Sequence, residues 1–434
     1  MHKVITPRLI PVLVAVAFSG GAAASGFQLL EQNASGLGNS YAGSAAVADN
    51  ASTIFYNPAG MTQLKQLEVS GGLTAIKTSF NFTNEGSSVG SLANTGDGRD
   101  GGGIGYVPNG FLSWGVTKDL FIGLGVGAPF GLRTKYDDQW IGGAQSTHFD
   151  VKTININPSI AYRVNDVVSI GGGLNWQRVE ADYRRLVSVV GAAGGTTSPL
   201  KLTLEDDSWG WNIGALFKVA PSTKVGVSYR SKVKYETTGK IDISGPLSAY
   251  SADAKADITL PDTFILSLTH AVSDRLELLG DVSWTGWSSI PKIDIIRASA
   301  TQNGAAAAGT IAQVLDSDFR DTWRAAVGAN YKLNNEFMLR AGIAYDQTPV
   351  KGPSTRLVSL PDNNRTWFSL GAQWKASNSM TFDLGGAYLY VKDAKIDNNQ
   401  ITTGPTSPLT NRGRVTGNYE DSAWILGGQV SLAF

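Results

Sequence analysis

The chain lacks cysteine altogether, and none of its apolar stretches reaches the roughly 20 residues that a transmembrane helix requires. A chain without cysteine avoids stray disulfides while it crosses an oxidising compartment, a pattern typical of exported proteins. The absence of a long apolar run excludes a bundle of transmembrane helices. A membrane β-barrel is not excluded, because barrel strands alternate apolar and polar residues and need no such run.

The chain also has no charge excess and few groups suited to catalysis. Lysine and arginine total 36, as do aspartate and glutamate, so no basic surplus exists for binding nucleic acid. The three histidines, His2, His148 and His270, show no metal-ligand spacing and accompany no nucleophile motif. The glycine-rich run at 123–127 precedes no helical pattern, which excludes a dinucleotide-binding loop. We therefore expect that the protein is not an enzyme and that it binds no cofactor and no metal.

Residues 1–24 have the pattern of a secretory signal peptide. Lys3 and Arg8 give a positive start, an apolar stretch follows at 10–18, and small residues end the segment at Ala24. Cleavage there removes two of the 36 basic residues and no acid, so the mature chain carries a net charge of about −2. The sequence therefore predicts an exported protein.

In many segments, large apolar side chains alternate with polar or small ones, with the two-residue period of a β-strand. In the last segment, one face contains Trp424, Leu426, Gly428, Val430, Leu432 and Phe434. The same alternation is predicted for 323–332 and for 224–235, where one face contains Val225, Val227, Tyr229, Ser231, Val233 and Tyr235. The terminal Phe434 resembles the signal that the outer-membrane assembly machinery reads; the alternative is an ordinary final strand.

Short and long connections alternate along the chain, and their number sets the number of strands. Six short polar turns lie at 117–119, 163–166, 220–224, 272–275, 333–336 and 376–379. Seven longer loops lie near 83–106, 131–149, 187–200, 240–255, 291–317, 348–360 and 394–419. They join about fourteen strands, and an even strand number with short turns and long loops is typical of bacterial outer-membrane barrels.

The first part of the mature chain differs from the rest. Residues 25–66 are rich in small side chains, show little alternation and contain Pro58, which disfavours a membrane strand. A barrel of about fourteen strands encloses a lumen too wide for side chains to fill. The sequence thus predicts an all-β membrane protein with a signal peptide at 1–24, a hatch inside the lumen at 25–66, and an antiparallel transmembrane β-barrel at 67–434.

Short motifs follow one another in a recognisable order along nearly the whole mature chain. The first are Ser25-Gly26-Phe27-Gln28-Leu29, Ser35-Gly36-Leu37-Gly38, Tyr41-Ala42-Gly43, Ala48-Asp49-Asn50 and Asn57-Pro58-Ala59. Later ones include Phe130-Gly131-Leu132, Asn157-Pro158, Leu260-Pro261, Leu360-Pro361-Asp362 and Arg365-Thr366-Trp367. Together they resemble the FadL family, the outer-membrane transporters of long-chain fatty acids, which also includes toluene-type hydrocarbon channels.

The resemblance implies a route for a hydrophobic cargo. In the family, the ligand enters from outside, binds near the hatch and leaves sideways into the membrane at a kinked strand. The resemblance assigns hatch gating to Asn57-Pro58-Ala59, where the hatch would meet the kinked strand, although residue type alone favours a simple turn. It assigns the kink to Pro129-Phe130-Gly131, where proline removes a ladder donor; the alternative is a strand that ends before a loop.

The resemblance also implies ligand-binding residues. Arg185 aligns with an arginine that pairs with the ligand carboxylate, and Ala181 and Tyr183 share its strand face. An interior arginine paired with a lumen acid is the alternative. Phe27 matches a phenylalanine that enters the binding pocket. The family's second cation, a lysine before the tenth strand, is missing, and Arg320 is the nearest cation, a departure that also suits a neutral hydrocarbon.

We therefore expect a monomer in the Gram-negative outer membrane that transports long-chain fatty acids passively and contacts lipid and the assembly machinery. Uptake of aromatic or aliphatic hydrocarbons by the same route is one alternative. An adhesin whose long loops bind a partner is an alternative of another class, and an outer-membrane hydrolase is a third.

Overall fold

The computed structural model describes residues 26–187, 197–402 and 407–434. The predicted signal peptide lies outside the described residues, as does most of the loop predicted at 187–200. No helix among the described residues is long and apolar enough to cross a membrane. The strands form one antiparallel sheet that closes on itself.

Fourteen strands make up the wall, and six of them are interrupted and consist of two segments. The uninterrupted strands are β1 (Leu67–Asn84), β2 (Ile104–Gly115), β4 (His148–Arg163), β5 (Val168–Val187), β6 (Ser198–Ala220), β11 (Phe337–Asp346), β12 (Arg365–Lys375) and β14 (Arg414–Ala433). The interrupted strands are β3 (Leu120–Gly127, Gly131–Lys135), β7 (Thr223–Arg230, Val233–Ile243), β8 (Ala252–Leu260, Thr263–Ala271), β9 (Leu276–Thr285, Ile293–Arg297), β10 (Ile311–Leu315, Thr322–Lys332) and β13 (Met380–Val391, Ala394–Asn399).

The barrel is closed by pairing between its first and last strands. β1 pairs with β2 on one side and with β14 on the other, from Glu68 opposite Ala433 to Asn84 opposite Gly417. Closure removes the unpaired backbone edge that lipid could not satisfy. The predicted fourteen-stranded antiparallel barrel is therefore confirmed.

The two faces of the wall differ in polarity as the alternation predicts. Outward-pointing side chains are large and apolar, with Leu370 71% exposed and Trp209 and Trp424 each 63% exposed. The side chains that alternate with the outward-pointing ones, such as Gln429 and Ser431 on either side of Val430, are buried in the lumen. A water-soluble protein does not expose so extensive an apolar surface, whereas a lipid-facing barrel requires it.

The alternation predicted for β7 is wrong beyond Arg230. Tyr235, predicted on the same face as the outward valines, is only 2% exposed and lies in the lumen. Between the pairs Asn212–Arg230 and Glu205–Thr238, β6 advances by seven residues and β7 by eight. The one extra residue reverses the faces of every later side chain, as a β-bulge does.

Several predicted loops are shorter than expected, because the wall continues into them. Gly131–Lys135, Ile293–Arg297, Ile311–Leu315 and Ala394–Asn399 are strand segments, although the sequence placed them in loops. Wall segments that rise above the membrane need no apolar outer face. They therefore lack the alternation by which strands were recognised.

Residues 26–66 lie inside the barrel as a hatch. Its short helices are α1 (Ala34–Leu37) and α2 (Thr53–Tyr56), followed by a 3₁₀-helix (Pro58–Gln63). Hydrogen bonds join it to opposite parts of the wall: Ala34–Gln429 (β14, 3.1 Å), Ser40–Ser369 (β12, 2.8 Å), Ser44–Asp281 (β9, 3.0 Å), Ala45–Ser267 (β8, 3.0 Å) and Thr62–Ser169 (β5, 2.7 Å). Contacts with strands on all sides place the hatch in the lumen, as predicted.

The hatch fits because small residues line parts of the wall. A Cβ added to Gly226 in β7 would collide with the carbonyl oxygen of Ala45. Elsewhere the hatch packs apolar side chains, including Leu37 and Tyr41, against Trp367 and Ile425 of the wall. Glycines such as Gly226 thus allow two backbones to approach closely rather than forming turns.

Candidate functional site

The wall is interrupted at the inward kink of β3. Ladder pairing between β2 and β3 ends at Gly110 and Val126. Beyond it, Ala128 and Phe130 are buried, and the following segment of β3 pairs only with β4. Within the described residues, the stretch of β2 at 104–109 therefore has no ladder partner on the β3 side. The kink predicted at Pro129-Phe130-Gly131 lies at this gap.

The start of the hatch takes the place of β2 beside the kink. The Leu29 N–H donates to the Pro129 carbonyl at 2.8 Å, and the Gly131 N–H donates to the Phe27 carbonyl at 2.8 Å. The Gln32 side-chain amide donates to the Ala128 carbonyl at 2.7 Å. These contacts satisfy backbone groups that the missing pairing would leave bare. Displacing this segment from β3 would open the inner side of the gap.

The Asn57-Pro58-Ala59 motif makes its hydrogen bonds with β6 and within the hatch. The Asn57 side-chain amide donates to the Ala215 carbonyl of β6 at 2.9 Å and to the Ala45 carbonyl within the hatch at 2.7 Å. Its Oδ1 atom accepts the Ala59 N–H at 3.1 Å. The motif caps the 3₁₀-helix and ties the hatch to β6. The contact with β6 could not be predicted from residue types.

A largely apolar cavity lies in the lumen above the start of the hatch. The volume of this cavity is about 80 Å³. Its lining includes two of the predicted ligand residues, Ala181 and Tyr183, together with Phe27 and side chains such as Leu204 and Phe319. The Tyr183 hydroxyl donates to the Gln145 carbonyl, so it presents no free donor to the cavity. The cavity suits an alkyl chain.

Phe27 belongs to both the cavity and the gap. Its ring lies 4.9 Å from the Trp287 ring and 5.9 Å from the Phe130 ring, measured between centroids. Its carbonyl accepts the Gly131 N–H at the kink. A molecule that pushes on this ring therefore acts on the backbone pairing that covers the gap.

Arg185 lies in a second, smaller cavity that adjoins the first. The two cavities share Leu202 and Ile295 as wall residues, and the smaller one has a volume of about 20 Å³. Arg185 is 3% exposed; its Nε atom donates to Gln313 at 2.8 Å and its Nη2 atom to the Leu409 carbonyl at 2.9 Å. Among the described residues no carboxylate pairs with it, which disagrees with the alternative of a lumen ion pair.

Arg297 is a second cation in the smaller cavity that the sequence analysis missed. It lines the cavity with Arg185 and forms hydrogen bonds to Thr310 and to the Ile311 carbonyl. Its buried Nε atom has no hydrogen-bond partner within the described structure. The sequence placed this residue in a loop, so it carried no signal that its side chain turns into the lumen.

Arg320 does not join the other predicted ligand residues. It lies in the interruption of β10, where it is exposed, and its Nε atom donates to the Thr348 carbonyl at 3.2 Å. It lines neither of the two cavities. The prediction that it is the second ligand cation is therefore not supported by its position, since a break in the strand turns it away.

Known proteins resemble the chain over almost its full length. It is 31% identical to outer membrane protein P1 of Haemophilus influenzae, over 93% of this chain and 94% of that protein. It is 27% identical to the long-chain fatty acid transport protein of Escherichia coli strain K12, over 99% of this chain and 98% of that protein.

Two solved structures share the fold. The crystal structure of a Pseudomonas aeruginosa FadL homologue matches with a TM-score of 0.83 at 22% identity, over 94% of this chain and all of that one. The Pseudomonas putida toluene transporter TodX matches with a TM-score of 0.68 at 14% identity, over 93% and 98%. The family model for the outer membrane protein transport proteins OMPP1/FadL/TodX matches residues 15–434. The chain therefore belongs to the OMPP1/FadL/TodX family of outer-membrane transport proteins.

Proposed function

We propose that this protein carries long-chain fatty acids across the outer membrane by passive diffusion, with lateral exit at the β3 gap. The observation that carries the proposal is Arg185, a buried arginine without an acid partner at the end of an apolar cavity. An amphiphile with one anionic end and one long apolar end matches this pair of cavities. The relatives named for long-chain fatty acid transport support the same ligand class.

The head group is held by charge. A buried cation without a counter-ion costs several kcal/mol, which a carboxylate can offset. Each guanidinium nitrogen of Arg185 already donates one hydrogen bond, to Gln313 or to the carbonyls of Leu186 and Leu409, so a carboxylate would use the second N–H groups of Nη1 and Nη2. Arg297 adds a second cation in the same cavity. Arg297 thus supplies the second charge that the sequence lacked at the family's lysine position.

The tail is held by the hydrophobic effect. Each methylene group removed from water contributes about 0.8 kcal/mol, so the apolar cavity accounts for most of the affinity of a long chain. The tail would lie between Ala181, Tyr183 and Phe27. It would press on the Phe27 ring, whose backbone pairs with Gly131 at the kink.

Release follows from the same contact. Displacement of Phe27 weakens the pairing of the hatch with β3, and the ligand then passes between β2 and β3 into the lipid. The Asn57-Pro58-Ala59 motif holds the remainder of the hatch to β6 during this step, through the Asn57 amide. The ligand can drive this shift only by binding the displaced state more tightly.

Replacing Arg185 tests the proposal. Arg185→Ala should weaken oleate binding by about 1.5–3 kcal/mol, the range for hydrogen bonds to a charged group, and should leave toluene binding unchanged. Arg320→Ala is the matched control, because it removes an arginine that lines neither cavity. Binding would be measured by calorimetry in detergent. Equal losses for oleate and toluene would argue against pairing with a carboxylate.

Uptake of neutral hydrocarbons is a second candidate, favoured by the apolar character of the larger cavity and by structural neighbours named as toluene transporters. Cells that accumulate radiolabelled toluene but not oleate would support it. A hatch deletion that leaves uptake of both compounds unchanged would point to an adhesin. Ester cleavage by the purified protein would point to a hydrolase.

A further inference from the structure

The two strands that border the β3 gap each contain a proline near it, Pro108 in β2 and Pro129 in β3. Proline has no backbone N–H, so it cannot donate a hydrogen bond to a neighbouring strand. The effect of Pro108 on the wall depends on which neighbour its nitrogen faces. The hydrogen bonds of β2 answer this question.

Hydrogen bonds at both ends of β2 fix the direction of its backbone groups. The Gly115 N–H donates to the Gln66 carbonyl at 2.7 Å, and the Thr78 N–H donates to the Gly103 carbonyl at 2.8 Å. In an antiparallel ladder, successive residues of a strand turn their backbone groups to opposite neighbours. Because the register between β1 and β2 has no shift, the odd-numbered residues of β2 pair with β1 and the even-numbered ones turn to β3. The Pro108 nitrogen therefore faces the gap.

Pro108 lies where the ladder between β2 and β3 stops. The last pair is Gly110 with Val126, and two residues farther along each strand Pro108 would face Ala128. Any other residue at 108 would donate its N–H to the Ala128 carbonyl. Proline has no hydrogen to donate, and its ring fills the space between the strands. β2 is therefore unable to close the wall at Ala128.

The Gln32 side chain of the hatch supplies the missing pair. Its Nε2 atom donates to the Ala128 carbonyl at 2.7 Å, and its Oε1 atom accepts the Ala128 N–H at 3.2 Å. A side-chain amide has a donor and an acceptor, as a backbone peptide group has. Gln32 is completely buried, and a Cβ on Gly127 would collide with its Oε1 atom. Glycine at position 127 thus makes room for this amide against the wall.

We propose that Gln32 is a detachable substitute for a wall residue, and that Pro108 keeps the gap open once Gln32 has detached. While the hatch is in place, the amide covers the backbone of Ala128. When the start of the hatch moves away, the amide leaves with it, and Pro108 prevents β2 from pairing with β3 instead. The gap then stays open until the hatch returns.

Gln32 acts by position and not by contact with the ligand. It does not line the apolar cavity, whose wall includes Phe27 from the same segment of the hatch. The use of the gap as an exit rests on the proposed function. The exchange of partners at Ala128 needs no ligand, so the two can be tested separately.

Hydrogen exchange tests the role of Gln32 in the absence of ligand. The full-length protein in detergent is labelled with deuterium, and the Ala128 N–H is followed by mass spectrometry of peptide fragments. Gln32→Met keeps the length of the side chain and removes both hydrogen bonds, so this N–H should exchange at least about fivefold faster, the factor for one net hydrogen bond. Exchange at the wild-type rate would overturn the proposal.

Gln28→Met is the matched control for this measurement. The Gln28 amide also ties the hatch to the wall by two hydrogen bonds, but to Thr263 in β8 and Thr285 in β9 rather than at the gap. This variant should leave the exchange of the Ala128 N–H unchanged. Equal acceleration in both glutamine variants would show that the whole hatch is loosened and would reject a specific role for Gln32.

Pro108→Ala tests the second half of the proposal by giving β2 the missing donor. Added to Gln32→Met, it should return the exchange of the Ala128 N–H to within about twofold of the wild-type rate, because β2 now pairs there. On its own it should slow this exchange below the wild-type rate, so the proposal can fail even if Gln32→Met does not fold. Pro158→Ala, in β4, is the control, since that strand pairs with neighbours on both sides. Fast exchange that persists in the double variant would reject Pro108 as the block.

Uptake separates the exchange of partners from the proposed function. Pro108→Ala should slow the uptake of radiolabelled oleate by about fivefold and leave oleate binding unchanged, since β2 can capture Ala128 whenever the hatch moves away. If hydrogen exchange follows the prediction and uptake does not change, the roles of Gln32 and Pro108 stand and the lateral exit is wrong.

Discussion

Glu31 of the hatch is a carboxyl group that the lumen buries completely. It is 0% exposed, and neither side-chain oxygen has a hydrogen-bond partner among the described residues. Burial away from water raises its pKa from 4.5 to about 7, although Arg365 and Arg324 partly oppose this. The hatch therefore contains a group that ionises near neutral pH.

This group makes the stability of the protein depend on pH in a defined direction. Between pH 4.5 and about 7 the unfolded carboxyl is ionised while the folded one keeps its proton, so stability falls as pH rises. Glu31→Gln should remove that fall and stabilise the protein by up to about 3 kcal/mol above pH 7, with little effect at pH 4.

Urea unfolding at both pH values, followed by tryptophan fluorescence, checks this prediction. Glu336→Gln, in an exposed turn, serves as the control. A Glu31→Gln variant whose gain in stability is the same at pH 4 and pH 8 would show that the pKa of Glu31 is the same in the folded and the unfolded protein.

At the scale of elements, the β3 kink is where backbone pairing between β2 and β3 ends. Replacing Pro129 with Val restores a backbone donor, and replacing Gly131 with Thr adds a side chain whose Cβ would lie 3.0 Å from Leu29. One added hydrogen bond of about 1 kcal/mol would lower the population of the open gap about fivefold. The double variant should slow oleate uptake by that factor and leave oleate binding intact.

Uptake of radiolabelled oleate by cells, combined with binding to the purified protein, measures the two effects separately. Pro221→Val is a suitable control, because it makes the same replacement of proline in the turn between β6 and β7. If the double variant takes up oleate at the wild-type rate, the gap is not the exit.

Sequence patterns predicted the repeated strands and turns, but apart from the β3 kink they missed the interruptions within strands. The turn rhythm gave fourteen strands because each membrane strand must alternate, and the lack of alternation identified the hatch. The extra residue in β7 was invisible, because a bulge changes register without changing composition. Arg297 was missed for a related reason, since the segment above the membrane has no apolar face to reveal its strand.

The candidate site was predictable only in part. Ala181, Tyr183 and Phe27 were expected together, and they line one cavity, while Arg185 lies in the adjoining one. Arg320 lies outside both cavities, and the gating role of Asn57-Pro58-Ala59 stays a prediction. Both positions depend on how the hatch and a strand break are oriented in space, which no local pattern encodes.

At the scale of the whole molecule, the last strand closes the barrel by pairing with the first. The Phe434 backbone exchanges hydrogen bonds with Leu67, while its side chain is 65% exposed on the outer face. Phe434→Ala should therefore change the stability of the refolded barrel by less than about 0.5 kcal/mol. If the assembly machinery reads this residue, the amount of folded protein in outer membranes should nevertheless fall several-fold.

Heat-modifiability on gels measures the folded amount in membranes, and urea unfolding measures the stability. Leu432→Ala, one strand period earlier on the same outer face, is the control. If the Phe434 variant loses stability to the same extent as it loses folded protein in outer membranes, Phe434 has only an ordinary structural role.

The central claim is that a hydrophobic ligand crosses a plugged barrel and leaves between strands without an open aqueous pore. Liposomes containing the purified protein test it directly, with entry of labelled oleate, sugar-driven swelling and ion conductance measured on one preparation. Oleate should enter faster than in protein-free liposomes, while swelling and conductance should stay at the lipid baseline. Free passage of sugars and ions would contradict it.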